Sequence, residues 1–81
     1  MSALLSGPEY VGERLRMARR ERGLTQDQLG KDSGTNQAVI QKIDNGRSQR
    51  PRLFMHIAAV LVVNPAWLQF GEPWAQKEPP Q

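Results

Sequence analysis

Eighty-one residues with 38% hydrophobic side chains make one small domain, which buries only about 60% of the surface its unfolded chain exposes and has material for one modest core but no deep substrate cavity. The absence of cysteine excludes a disulfide frame and a thiolate metal site and fits a reducing, cytoplasmic setting. Formal net charge is only +3, from 11 Lys and Arg against 8 Asp and Glu, so a charged partner must be inferred from where the charges lie and not from their total.

Residues 1–8 form an N-terminal arm whose Met1 to Ser6 segment is too short and uncharged for a signal peptide. Pro8 and Glu9 open a first helix predicted to run to about Arg22, with Val11, Leu15 and Ala18 on one face and Gly23 at its end. Its arginines (Arg14, Arg16, Arg19, Arg20 and Arg22) are diluted by Glu13 and Glu21, and most of that run reads as solvated helix surface.

The segment 26–45, QDQLGKDSGTNQAVIQKIDN, carries the strongest signal. Thr25 followed three residues on by Gln28 is a capping box, in which two side chains satisfy orphan amide donors at a helix start. Leu29 is the core-facing residue of that helix, and Gly30 beside it has no side chain to hold a crossing helix away. Gly34 ends the helix, and Asn36 caps the next one, about 37–45. On that second helix Ile40 and Ile43 share one side with Asp44 at their flank, while Ala38, Gln41, Lys42 and Asn45 look the other way. Gln37 lies in its first turn, where a glutamine amide can bond N6 and N7 of adenine together. Asn45 and Gly46 stop the helix. From Lys42 to Arg52 the chain holds Lys42, Arg47, Arg50 and Arg52 against Asp44 alone, a basic loop placed to meet phosphate. An ordinary helical hairpin would need start signal, small residue, glycine turn and apolar spacing to coincide by chance.

Pro51 opens a fourth helix to about Leu61 or Val62, with Leu53, Ile57 and Leu61 at i, i+4 and i+8. His56 on it has no second His and no Cys to join, so it reads as a surface or packing residue. Asn64 and Pro65 start a short fifth helix to Phe70, whose Trp67 and Leu68 close the bottom of the core, and Gly71 stops it. The expected core is Val11, Leu15, Ala18, Leu24, Leu29, Ile40, Ile43, Leu53, Ile57, Leu61 and Trp67. Residues 72–81 contain Pro73, Pro79 and Pro80 with few aliphatics, the composition of a linker or free end.

Catalysis fails on inventory. The seven glycines are scattered among helix ends and form no phosphate-binding loop, and Asp27 and Asp32 have no apolar pocket to shift their pKa. No cofactor or metal is implied, and the apolar run Ile57 to Val63 falls far short of the roughly 20 residues that span a bilayer. The chain therefore reads as an all-α, five-helix, non-enzymatic domain over 9–71.

Between about Val11 and Phe70 the chain resembles the Cro and cI type of helix-turn-helix proteins of temperate-phage repressors and bacterial regulators. The resemblance rests on LRMARRERGLTQDQL, SGTNQAVIQKIDNGRSQRP and NPAWLQFGE, with NGRSQRPR similar to the loop that grips the sugar-phosphate backbone in the lambdoid repressors. It implies a compact, lambda-repressor-like fold and a transcriptional regulator that occupies a palindromic double-stranded operator as a homodimer, with half-sites one helical turn (about 34 Å) apart. It implies base readout by Gln37, Ala38, Gln41 and Lys42, and backbone contacts from Gln26, Asn36, Asn45, Arg47, Gln49, Arg50 and Arg52, with Gln26 also bracing Gln37. Arg19 and Asp44 would form an inward ion pair.

Ala38 and Lys42 stand where relatives carry glutamine, so a different operator is expected, and Ser33 stands where the pattern favours an aliphatic residue. Val62, Val63 and Phe70 are left for either a dimer surface or the interior. Two other readings stay open: an antitoxin-type module whose tail, through Trp74, holds a protein partner, and the N-terminal piece of a longer repressor.

Overall fold

The computed structural model describes residues 10–46, 50–71 and 75–79. Five α-helices and no strand lie among them: α1 (Val11–Glu21), α2 (Gln26–Asp32), α3 (Gln37–Asp44), α4 (Pro51–Leu61) and α5 (Pro65–Phe70). The expected all-α fold class and helix order hold.

Three helices begin on a side-chain cap. At α2 the Thr25 hydroxyl accepts from the Gln28 amide at 3.0 Å while the Gln28 side-chain carbonyl accepts from the Thr25 amide at 2.9 Å, a complete capping box that satisfies two of the four orphan donors. Asn36 Oδ1 accepts from the Val39 amide at 3.1 Å to start α3, and Asn64 Oδ1 from the Ala66 amide at 2.9 Å to start α5. Glycine shapes the α2–α3 turn twice. Gly34 sits at φ +80°, and a Cβ on Gly30 would lie 2.5 Å from the Asn36 carbonyl carbon, so only glycine lets α3 cross this close to α2.

α1 packs on α3 and α5, and α4 packs on α2 and α5, around one shared core. That core is Leu15, Ala18, Leu29, Ile40, Ile43, Phe54, Ile57, Ala58, Leu61, Val63, Trp67 and Leu68. Val11, Leu24 and Leu53, expected inside, are half-buried at its margin, and Phe54, Ala58 and Val63 take inner places instead. The reason lies in α4, PRLFMHIAAVL, which is apolar on nearly every side. A stripe at 53, 57 and 61 and one at 54, 57, 58 and 61 are equally good by period, and packing selects the second. Val63 is thereby an interior residue at 6% exposure, whereas Val62 and Phe70 stay 50% and 58% exposed.

Two expectations about polar residues are corrected. Arg14 is not solvated surface: it is buried at 3% exposure. Its Nε donates to the Leu68 carbonyl and its Nη2 to the Gln69 carbonyl, both at 2.9 Å. The guanidinium thus caps the C-terminus of α5, where carbonyls lack helical partners and the dipole favours a cation. Burial lowers its pKa from the ordinary value.

The second correction concerns the tail. Residues 75–79 lie against the domain rather than free of it. Ala75 packs at the core margin and its amide donates to the Gly71 carbonyl at 3.2 Å, and the Lys77 carbonyl accepts from the Asn64 amide at 2.8 Å. The Lys77 ammonium pairs with Glu21 and lies 5.7 Å from the centre of the Trp67 ring. Polar contacts and a cation–π approach hold this stretch where aliphatic burial could not. Trp74 lies outside the described residues.

Candidate nucleic-acid interface

α3 presents two faces of opposite character. Ile40 and Ile43 have no exposed surface, which fixes the helix axially and rotationally in the core. Gln37, Ala38, Gln41, Lys42 and Asn45 are exposed, so the expected readout residues share the outward face and carry no bulky aliphatic among them. Such a face can donate, accept and approach a flat polar surface closely, because it has little apolar bulk to desolvate.

The flanks supply charge and anchoring. Arg50 and Arg52, at the start of α4, are exposed and line an open groove together with Asp32, Leu53 and His56. Arg47 and Gln49 lie outside the described residues. Asn36 is exposed but spends its side-chain oxygen on capping α3, leaving its amide nitrogen for other work. Ser33, at the end of α2, is 6% exposed and its hydroxyl finds no hydrogen-bond partner among the described residues. An aliphatic residue there would leave no such orphan.

Behind α3 sits a carboxylate. The Asp44 side chain is 4% exposed, with Arg19 Nη2 at 3.9 Å from its Oδ2. That is ion-pair range but too long for a hydrogen bond. The hydrogen bond at Oδ2 comes from Gln26 Nε2 at 2.8 Å, while Arg19 Nη1 donates to the Leu24 carbonyl at 2.9 Å. Gln26 Nε2 therefore engages the last residue of α3, and no hydrogen bond joins Gln26 to Gln37 among the described residues. The sequence carried no signal for this partner, eighteen positions away. A further contact escaped the sequence reading: a Cβ on Gly12 would collide with the Asp44 carbonyl oxygen, so α1 reaches this end of α3 only through glycine.

A helix-turn-helix domain family model matches residues 11–66. The chain belongs to that family. Among curated proteins it is similar to the transcriptional regulator PrtR of Pseudomonas aeruginosa, 40% identical over 65 residues that make 80% of this chain and 25% of that protein. It is likewise similar to the regulator for conjugative element R391 of Providencia rettgeri, 40% identical over 62 residues, 76% of this chain and 29% of the relative. This chain thus spans under a third of the length of these two relatives. Among solved structures it resembles the P22 c2 repressor, crystallised with the synthetic operator 9T in the presence of Tl+, with a TM-score of 0.74 and 23% identity over 78% of this chain and 97% of that one. That likeness is one of fold. Among the described residues no group of three or more His, Cys, Asp or Glu could hold a metal ion. No helix among them is long and apolar enough to cross a membrane.

Proposed function

We propose that this domain binds double-stranded DNA with sequence preference, lays α3 in the major groove and regulates transcription from the operator it occupies in the cytoplasm. The observation that carries the reading is the outward face of α3, on which Gln37, Ala38, Gln41, Lys42 and Asn45 are all exposed while Ile40 and Ile43 lock the opposite face into the core. A helix held that firmly can spend its polar side chains on base edges at little further ordering cost. Backbone grip is assigned to Gln26, Asn36, Asn45, Arg50 and Arg52, and, by the family resemblance alone, to Arg47 and Gln49. The kinship with transcriptional regulators supports the same assignment.

One helix reads about half a site, so a two-fold operator calls for a second copy. Val62 and Phe70, exposed at and after the α4–α5 connection, are apolar residues we assign to that contact. Val62 holds a left-handed φ of 57°, a costly state for a β-branched residue.

Salt dependence tests the assignment of the basic flank. Arg50→Ala or Arg52→Ala should weaken binding to every duplex alike and make the slope of log affinity against log salt shallower by about 0.9 per residue. If only a preferred site loses affinity, these arginines read bases and the phosphate assignment is wrong.

A further inference from the structure

The buried carboxylate behind the recognition helix is hard to explain by stability. Asp44 ends α3, where the helix dipole disfavours a negative charge. Its Oδ1 is buried with no hydrogen-bond partner among the described residues, and Arg19 Nε is in the same condition. A well-packed apolar side chain commonly serves a fold as well as such a pair or better. The firm contact Asp44 does make is with Gln26, the first residue of α2 and itself half-buried.

Left alone at a helix start, a glutamine amide rotates about several bonds and must be ordered at each binding event. Here Asp44 Oδ2 takes one N–H of that amide at 2.8 Å. The second N–H diverges by about 120° in the amide plane and remains for another acceptor. Arg19 Nη2, 3.9 Å from the same carboxylate oxygen, offsets the negative charge that would otherwise repel an approaching phosphodiester. We infer that Asp44 is a positioning residue acting through Gln26: it fixes the Gln26 amide so that its free N–H donates to a backbone phosphate of the bound duplex. The inference rests on the DNA-binding reading.

Two measurements test it. In the free protein, the Gln26 side-chain amide protons should be resolved and slow to exchange by NMR. In Asp44→Leu, which retains a filled site, they should collapse to the fast exchange of an exposed amide, while in Asp44→Asn, whose carbonyl still accepts, they should stay protected. Duplex affinity then supplies a double-mutant cycle. Gln26→Ala should lose about tenfold on all sequences, Asp44→Leu should lose severalfold, and the double variant should lose no more than Gln26→Ala alone. Should Asp44→Leu fail to fold, Asp44→Ala, which also removes the acceptor, serves the cycle, and its effect should vanish in the Gln26→Ala background. Additive losses, or an Asp44→Leu protein with unchanged amide exchange, would overturn the positioning role while leaving DNA binding intact. A wild-type chain that binds no duplex would bring down both, and would be recognised because no variant then differs from it in affinity.

Discussion

The helix-turn-helix pair and the C-terminal half of this domain are built from comparable lengths of chain, yet they are specified in different ways. In α2 and α3 the instructions are local: Thr25 meets Gln28 three residues away, Asn36 meets Val39, and Gly30 clears Asn36. In α5 and the stretch 75–79 distant contacts are added to the local Asn64 cap. Arg14 caps α5 across 54 and 55 positions, and Lys77 reaches Glu21 across 56. The turn between α2 and α3 is thus encoded within a few residues, while the far end of α3 is held from a distance by Gly12, Arg19 and Gln26 around Asp44. The supporting scaffold leans more heavily on contacts that no short window of sequence contains.

The sharpest way to break that contrast lies in α4, where two apolar stripes compete. Phe54→Ala should cost about 3 to 5 kcal/mol, because it empties a site that is 2% exposed. Leu53→Ala, at the half-buried margin, should cost clearly less in the same thermal or urea melts. Equal losses would mean that α4 is rotated from the face described.

A somewhat smaller effect is expected at the long-range cap. Arg14→Met keeps the aliphatic stem but leaves the Leu68 and Gln69 carbonyls without their donor, at a cost of about 2 to 4 kcal/mol in urea unfolding. Hydrogen exchange should show α5 loosening first. A near-wild-type midpoint would show that α5 is held by Trp67 and Leu68 alone.

The local device should give the smallest change. Thr25→Ala removes half of the capping box and should lower stability by about 1 kcal/mol. A loss as large as that of Arg14→Met would erase the distinction between the two regions.

The same distinction explains what could be read in the sequence. Capping residues, glycine turns and the Ile40 and Ile43 spacing act within one or two turns, so the helix order, the turn and the outward face of α3 were legible there. Arg14 looked like one more solvated arginine because its partners are backbone carbonyls, which any residue supplies. Family likeness points Gln26 toward a phosphate and Gln37, and the bond it makes to Asp44, eighteen positions away, carries no sequence signal. Val62 and Val63 are adjacent and chemically identical, and the left-handed turn at Val62 leaves one facing solvent and the other the core.

The central claim is that α3 reads base edges through its outward face, beginning with Gln37. Selection of bound duplexes from a random pool, run side by side on the wild-type chain and Gln37→Ala, tests it most directly. The account predicts a two-fold motif with half-sites one helical turn apart for the wild type, and loss of preference at one position per half-site for the variant, equivalent to about 1 to 3 kcal/mol on the best site. An identical motif from both proteins, or no enrichment from the wild type, would contradict it.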